Sequence, residues 1–140
     1  MNIKTVETNE ELEQAYHVRM VVFVDEQNVP AEEELDDGDA TAVHFIGYED
    51  GETIAASRLR FVDTYGKLER ICVMKSQRGK SHGSQLIKSM ENYIAAKGYK
   101  KAKLNAQTHA EAFYQRLGYK TISGEFLDAG IPHVTMIKSL

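Results

Sequence analysis

The chain has 140 residues, of which 42% are apolar, and a formal net charge of −4. This length excludes two full-sized domains, and no apolar run approaches the ~20 residues that a membrane span requires. Cys72 is the single cysteine, which excludes an internal disulfide, and the first residues lack the pattern of a signal peptide. We therefore expect a single domain, residues 1–140, located in the reducing cytoplasm.

The first half of the chain predicts a strand, a long helix and three further strands. Residues 2–7 are typical of a short strand, and Thr8 with Glu11 forms a capping-box pattern that opens a helix running to about Glu26. An acidic segment, residues 28–41, is predicted to be a loop or a short helix. Turns at Asp50-Gly51 and Tyr65-Gly66 join the next three strands, predicted at residues 44–48, 54–62 and 67–74.

The second half of the chain predicts two further pairs of helix and strand. Residues 77–83 form a glycine-bearing basic loop, and apolar residues then recur at helical spacing up to Gly98. Residues 101–107 alternate as a strand, after which Thr108 and Glu111 form a second capping-box pattern that opens a helix. The last strands are predicted at residues 119–123 and 133–138. Together the elements predict an α/β fold with a mixed, mostly antiparallel sheet and helices on both faces.

The basic loop has the composition of a phosphate-binding site. Backbone N–H groups and the positive end of the helix dipole meet at the helix start, where Arg78 and Lys80 add full charges. A nucleotide P-loop is excluded because Met74 stands where that motif needs a glycine. The dinucleotide fingerprint is excluded because three residues, rather than one, separate Gly79 from Gly83.

Two segments resemble the GNAT superfamily of N-acetyltransferases. The pattern Arg78-x-x-Ser81-x-Gly83, directly after a strand, is similar to the acetyl-CoA loop of that superfamily, except that a serine stands at the middle glycine position. Serine tolerates fewer backbone conformations than glycine. A later segment is similar to the stretch in which an asparagine ends a strand and a helix carries Phe-Tyr-x-x-Leu-Gly-Tyr. The matching residues are Asn105, Ala110, Phe113, Tyr114, Leu117, Gly118 and Tyr119.

The resemblance covers nearly the whole chain and implies a fold, a reaction and a cofactor. In the GNAT fold two parallel strands, here residues 67–74 and 101–107, splay apart and admit the pantetheine arm of acetyl-CoA. The implied enzyme is an N-acetyltransferase that consumes acetyl-CoA and releases CoA. The residues expected to bind the cofactor are Ile71, Cys72, Val73, Arg78, Gly79, Lys80, Ser81, His82, Gly83, Ser84, Asn105, Phe113 and Tyr114.

The resemblance also implies that Tyr114 is the general acid, because a phenol with a pKa of ~10 can protonate the departing thiolate. Glu69, on the strand beside the cleft, is the candidate general base, or equally an ion-pair partner of Arg58 or Arg60. The weaker candidates for the base are Glu26, His44, His109 and His133.

Strand alternation predicts which side chains of residues 67–74 share a face. Glu69 is expected to share one face with Ile71 and Val73, whereas Arg70 shares the other with Leu68 and Cys72. Direct attack by an amine needs no covalent intermediate, so Cys72 is interpreted as a core residue rather than a nucleophile.

Arg19 is the main sequence indication of the acceptor, because it falls inside the apolar stripe of the first helix. A buried arginine needs a partner. That partner is either a carboxylate of the acidic segment or the carboxylate of a substrate such as a free amino acid. In the second case Arg19, Phe23 and Glu26 would together contact the acceptor.

Charge is distributed unevenly along the chain. Residues 1–50 carry 2 Lys or Arg against 14 Asp or Glu, and residues 51–140 carry 15 against 7. The acidic part favours a cationic small-molecule amine as acceptor, such as an amino acid, polyamine or amino sugar, and does not favour nucleic acid. We expect no membrane partner, and a monomer or homodimer. The alternatives are acetylation of a protein lysine or N-terminus, and a catalytically silent acyl-CoA-binding module.

No metal is expected. If Gly38 takes the sixth position of a calcium-binding loop, His44 stands at the twelfth, where that loop needs a glutamate. The histidines of the chain show no paired zinc spacing.

Overall fold

The computed structural model describes residues 1–140. Its helices are α1 (Asn9–Arg19), continued by a π-helical segment (Met20–Glu26), then α2 (Ala31–Glu34), α3 (His82–Ala96) and α4 (Glu111–Arg116), with 3₁₀ turns at Asp37–Ala40, Lys75–Gln77 and Thr108–Ala110. Its strands are β1 (Asn2–Thr5), β2 (Val43–Glu49), β3 (Glu52–Val62), β4 (Tyr65–Val73), β5 (Lys101–Gln107), β6 (Lys120–Thr121), β7 (Phe126–Asp128) and β8 (Ile131–Ser139). None of the helices combines the length and the apolar character needed to cross a membrane.

The strands form one sheet in the order β1-β2-β3-β4-β5-β8-β6, with β7 paired to β8. Every neighbouring pair is antiparallel except β4 and β5, which are parallel. These two strands pair only from Gly66 with Ala102 to Leu68 with Leu104, and they separate beyond that point. The predicted α/β architecture and its splayed parallel pair are therefore confirmed.

Helices cover both faces of the sheet, as predicted. The larger core lies beneath α3, where Leu86, Ile87, Met90 and Ile94 pack on the strands. The smaller core lies beneath the first helix and is formed by Ala15, Val18, Val22, Ile46, Ala56 and Cys72. β4 contributes to both cores and β5 to the larger one, and the splayed ends of these strands are the open part of the fold.

A bulge in β4 changes which side chains share a face. Ser57 of β3 lies opposite two residues of β4, Arg70 and Ile71. Leu68, before the bulge, lies in the core beneath α3, whereas Cys72, after it, lies in the core beneath the first helix. The prediction that Leu68 and Cys72 share a face is wrong, because one extra residue shifts the two-residue side-chain pattern of a strand by one.

One of the two predicted capping boxes is present, the other is absent, and one strand was not predicted. The Thr8 and Glu11 capping box forms as predicted, with 3.1 Å from the Glu11 N–H to Thr8 Oγ1. The second predicted capping box is wrong: Thr108 lies in a 3₁₀ turn, and the Glu111 carboxylate accepts a hydrogen bond from Thr121 Oγ1 instead. β7 was not predicted, because three residues are too few to show an alternating pattern.

Candidate active site

The basic loop ends in a helix N-terminus that no side chain caps. Gly79 and Ser81 both have left-handed backbone conformations, with φ of +81 and +64, and α3 begins directly after Ser81. The Gln85 N–H donates to the Ser81 carbonyl, which starts the hydrogen-bond pattern of the helix. The N–H groups of residues 82–84 therefore have no helical partner, which is the arrangement that binds anions.

A cleft of about 800 Å³, the donor cleft, lies between the basic loop and the splayed strands. Eleven of the thirteen residues expected to bind the cofactor line it: Ile71, Cys72, Val73, Arg78, Gly79, Ser81, His82, Gly83, Ser84, Phe113 and Tyr114. Lys80 does not, and its ammonium donates to Gln77 Oε1 at 3.2 Å. Asn105 lines a different cavity and accepts a hydrogen bond from Thr135 Oγ1 at 2.8 Å. The cofactor contacts of Lys80 and Asn105 stay predictions, since neither residue lines the donor cleft and both side chains are hydrogen-bonded to protein groups.

The wall of the donor cleft fits a ligand with phosphate groups. A Cβ atom at Gly83 would meet only Phe113 Cζ, at 3.7 Å, and one at Gly79 would meet nothing within 4 Å, so the space above the helix start is open. His82 is buried and lines the cleft, yet neither of its ring nitrogens has a hydrogen-bond partner. Nε2 lies 4.0 Å from Glu49 Oε2, whereas Nδ1 has no such neighbour, and buried polar groups in folded proteins are nearly always paired.

β4 presents a backbone edge to the donor cleft. The Met74 N–H donates to the Ile54 carbonyl on β3 at 2.8 Å, so by alternation the N–H and carbonyl of Val73 face the gap toward β5. Arg78 Nε already donates to the Val73 carbonyl at 3.0 Å. The Val73 N–H on the same side is left for an amide carbonyl of a ligand.

The guanidinium of Arg78, a residue of the basic loop, is bound by the carboxylate of Glu26. The guanidinium donates to both carboxylate oxygens of Glu26 across the mouth of the cleft. The hydrogen bonds from Arg78 lower the pKa of Glu26, so this carboxylate is charged at neutral pH. Glu26 was expected to contact the acceptor; it lines the donor cleft instead.

Two smaller cavities, of about 250 and 330 Å³, adjoin the donor cleft, and we call them the acceptor cavities. Both are lined by Phe23, Gln27, Arg70, Gln107, Asp128 and His133. Phe23, which the sequence predicted to contact the acceptor, lines both cavities, and that contact stays a prediction. The smaller of the two cavities meets the donor cleft at a junction formed by Gln27, Ile71, Gln107, His109, Ala110 and Tyr114.

A chain of hydrogen bonds crosses this junction. His109 Nε2 lies 2.6 Å from Gln107 Oε1, and Gln107 Nε2 donates to Gln27 Oε1 at 2.9 Å. The two glutamines were not predicted as site residues. Gln107 ends β5, and ligand sites lie beyond the carboxyl ends of parallel strands, so this position was the available signal.

Tyr114 lies at the junction of the donor cleft and the smaller acceptor cavity. Its ring packs edge-on against Phe113, with centroids 5.1 Å apart, and against Tyr119 at 5.9 Å. Burial raises the pKa of Tyr114 to about 12. The phenol therefore keeps its proton throughout the neutral range and is placed to donate it.

Glu69 is held in ion pairs, which was one of the two alternatives. Its carboxylate binds Arg60 Nε at 2.6 Å, Arg58 Nε at 3.1 Å and Lys67 Nζ at 3.3 Å. Burial by itself would raise the pKa of Glu69, but the hydrogen bond from Arg60 and the nearby cations outweigh burial and lower it to about 2. A carboxylate this weakly basic is unsuited to accept a proton from an amine at neutral pH.

Arg19 lies in the protein interior rather than in any of the three cavities. Its Nε donates to Glu34 Oε1 at 2.8 Å, and its Nη1 donates to Asp39 Oδ1 at 2.7 Å. The alternative that Arg19 pairs with the acidic segment is confirmed. The expected contact with the acceptor is wrong, because the helix period buries this side chain where only the acidic segment reaches it.

His133 has a defined proton position. Its Nδ1 lies 2.6 Å from the Ile131 carbonyl oxygen, which can only accept, so Nδ1 carries the proton and Nε2 of the neutral ring carries the lone pair. His44 lacks such access: it lines no cavity, its Nε2 contacts the Asp39 carbonyl at 2.9 Å, and burial lowers its pKa.

Comparison with known proteins is consistent with this geometry. Residues 6–140 match the family model described as an acetyltransferase (GNAT) domain. The chain is 46% identical to the uncharacterized N-acetyltransferase YjcF of Bacillus subtilis, over 99% of both chains. An acyl-CoA N-acyltransferase structure from Pseudomonas aeruginosa is 27% identical, with a TM-score of 0.86 over 98% of this chain and 97% of that one. The crystal structure of Escherichia coli ElaA is also 27% identical, with a TM-score of 0.88 over 99% of both chains.

Proposed function

This chain belongs to the GNAT acetyltransferase family and is an N-acetyltransferase; on that premise we propose that it transfers the acetyl group of acetyl-CoA to the primary amine of a small molecule. The amine attacks directly while donor and acceptor are both bound. The observation that carries the proposal is the junction at Tyr114, where the donor cleft meets the smaller acceptor cavity, whose volume suits a small molecule.

The basic loop and β4 would hold acetyl-CoA. The free N–H groups of residues 82–84 suit its pyrophosphate, and the strand edge at Ile71 and Val73 suits the amides of its pantetheine arm. When bound, this substrate supplies the acetyl thioester. The similarity to an acyl-CoA N-acyltransferase supports a CoA thioester as donor.

Protons move before and during the transfer. The bound ammonium group first loses one proton, because only the neutral amine has a lone pair for attack. The amine nitrogen then bonds to the acetyl carbon and the carbon–sulfur bond breaks, so the nitrogen loses a second proton and the sulfur gains one. Tyr114 donates to the sulfur and is reprotonated from solvent. His133 Nε2 accepts the proton of the amine, directly or through a water molecule. This assignment replaces Glu69, whose oxygens are occupied by cations.

The base assignment is tested with the variants His133→Gln and His109→Gln. Losing a general base lowers kcat by about a hundredfold or more, so we expect this loss in His133→Gln, with unchanged affinity for CoA. A larger loss in His109→Gln than in His133→Gln would transfer the role to His109.

The acceptor cavities favour a cationic small molecule. Asp128 and Glu33 line them, and neither carboxylate forms an ion pair with the protein. Unpaired carboxylates at a cavity wall attract an ammonium group. The volumes of about 250 and 330 Å³ suit an amino acid, polyamine or amino sugar rather than a folded protein.

The proposal is tested by measuring CoA release from acetyl-CoA with a panel of amino acids, polyamines and amino sugars. We expect turnover with at least one class. Gly83→Glu should abolish CoA binding in calorimetry, because it places a carboxylate at the anion site. Gly83→Ala should still bind CoA, because the added Cβ makes only an ordinary van der Waals contact with Phe113. CoA binding without turnover of any small amine would contradict the proposal.

A further inference from the structure

Arg70 is held in an unfavourable backbone conformation. It lies in the bulge of β4 with a φ of +55, in the left-handed region, which costs a residue with a Cβ ~1 kcal/mol or more. Its side chain is fixed by the acidic segment: Nε lies 3.3 Å from the Glu34 carbonyl oxygen, and Nη2 lies 3.1 Å from that of Glu33 and 3.2 Å from Asp36 Oδ2. Strained residues held by their surroundings are concentrated at functional sites.

One nitrogen of this fixed guanidinium has no protein partner. Nε and Nη2 both donate, whereas Nη1 makes no hydrogen bond. The Arg70 side chain is 24% exposed, and the residue lines both acceptor cavities. Two N–H groups of a positioned cation are therefore available to a ligand, and the side-chain entropy has been lost before the ligand arrives.

The charge of Arg70 is not fully compensated. Salt bridges connect five cations with four carboxylates in one network, which leaves one positive charge in excess. The members are Arg19, Arg58, Arg60, Lys67 and Arg70 with Glu34, Asp36, Asp39 and Glu69. Arg70 is the one member that lines both acceptor cavities. Arg70 therefore presents positive charge to these cavities, alongside the unpaired carboxylates of Asp128 and Glu33.

We propose that the acceptor is an amino carboxylate, a small molecule with both an amine and a carboxylate, and that Arg70 Nη1 binds the carboxylate. The amine then lies toward His133 and Asp128, which line the same two cavities. This inference rests on the proposed function and narrows its acceptor class. A polyamine would place a second cation against Arg70, and an amino sugar would offer Arg70 Nη1 no charged partner.

The test compares matched acceptors on the wild-type enzyme. The panel consists of α-amino acids, β-alanine and γ-aminobutyrate, the carboxamides of the same compounds, and putrescine. We expect CoA release with at least one acid, and a kcat/KM at least tenfold lower with its carboxamide, because a charged partner contributes more than a neutral one. Equal or better turnover of the carboxamides or of putrescine would overturn the inference and leave the proposed function standing.

Variants then test Arg70 itself. Arg70→Gln should raise the KM for the preferred acid at least tenfold, raise the KM for its carboxamide much less, and leave CoA affinity unchanged. Arg70→Lys should recover part of the loss. The matched control is Arg60→Gln, which removes a cation from the same network but lines none of the cavities. An equal rise in KM in Arg60→Gln, or an equal loss with acid and carboxamide in Arg70→Gln, would show that Arg70 acts only through the network.

Direct binding separates this inference from the proposed function. Thermal shifts are measured with saturating CoA and each compound of the panel at millimolar concentration. Stabilisation by acids but not by carboxamides, lost in Arg70→Gln, would support the site even if no compound releases CoA. If no acid binds and no acid is turned over, the inference is overturned.

Discussion

The guanidinium of Arg78 and the carboxylate of Glu26 form a two-pronged ion pair across the mouth of the donor cleft, with N–O distances of 2.5 and 2.8 Å. The pair joins the basic loop to the end of the first helix, 52 residues away in sequence. A carboxylate therefore lies at the mouth of the donor cleft, and it neutralises Arg78.

Glu26→Gln should strengthen CoA binding. The change removes a negative charge from the cleft mouth and frees Arg78, which is worth ~1 kcal/mol, or about fivefold in Kd, at low salt. Calorimetry with CoA at low and at high ionic strength measures the change. Glu13→Gln removes an exposed carboxylate elsewhere on the same helix and serves as the control. A weaker affinity in Glu26→Gln would show that the pair is needed to shape the cleft.

Tyr114→Phe should lower kcat by about ten- to a thousandfold and leave CoA affinity nearly unchanged, because only a proton donor is lost. Since burial raises the pKa of Tyr114 to about 12, the wild-type rate should not decline through loss of this proton at any pH below about 10. Steady-state kinetics between pH 6 and 10 check both expectations. Wild-type turnover in the variant would leave Tyr114 with a packing role only.

Arg19→Ala should destabilise the fold without altering the kinetics of the enzyme that remains folded. Removing one partner of a buried ion pair leaves Glu34 and Asp39 uncompensated, which costs about 3–5 kcal/mol. The free energy of unfolding is measured in urea, with Arg116→Ala as an exposed, unpaired control. A rise in the acceptor KM at full stability would instead restore Arg19 as a substrate contact.

Acid should unfold the protein through Glu69 and Asp36. The pKa of Glu69 is lowered from its ordinary 4.5 to about 2, so the stability it contributes is present above pH 4.5 and is lost as the pH falls from 4.5 to 2. Asp36 acts in the same direction between 3.8 and about 2. Glu69→Gln should lose about 3 kcal/mol at pH 7 and show a shallower decline in this window. Urea unfolding at pH 7, 4 and 3 measures the free energy of unfolding of the wild type and of Glu69→Gln. An equal decline with pH in the two proteins would contradict the role of Glu69 in acid unfolding.

Glycine adopts the left-handed conformation without strain, and this gain exceeds the additional entropy that glycine loses on folding. Ser81→Gly should therefore stabilise the enzyme by about 0.5–1 kcal/mol. Gly79→Ala provides the opposite test: Gly79 has a φ of +81 and open space around it, so the added methyl group should destabilise through strain alone. Melting temperatures and CoA affinities report both variants. A destabilised Ser81→Gly would mean that the serine side chain makes a compensating contact.

Local patterns in the sequence were enough to determine the fold and the donor site. The order of elements and the capping box at Thr8 follow from periodicity and turn residues, which act over a few neighbouring positions, whereas the splayed pair was implied by the resemblance to the GNAT superfamily. Phosphate binding depends on backbone N–H groups at a loop–helix boundary, so the basic loop could be recognised even with Ser81 in place of glycine. Eleven of the thirteen expected cofactor residues consequently line one cleft.

Only the tertiary structure decided which charges are free to act. Arg19, Glu26 and Glu69 had the residue types of acceptor contacts and a base, yet each is paired with groups distant in sequence. Arg70 received no role from the sequence, because its access to the acceptor cavities depends on a bulge that alternation cannot reveal. The function of a charged side chain depends on which of its atoms remain without a partner. Contacts between segments that are distant in sequence decide which atoms have a partner, and local sequence patterns do not reveal these contacts.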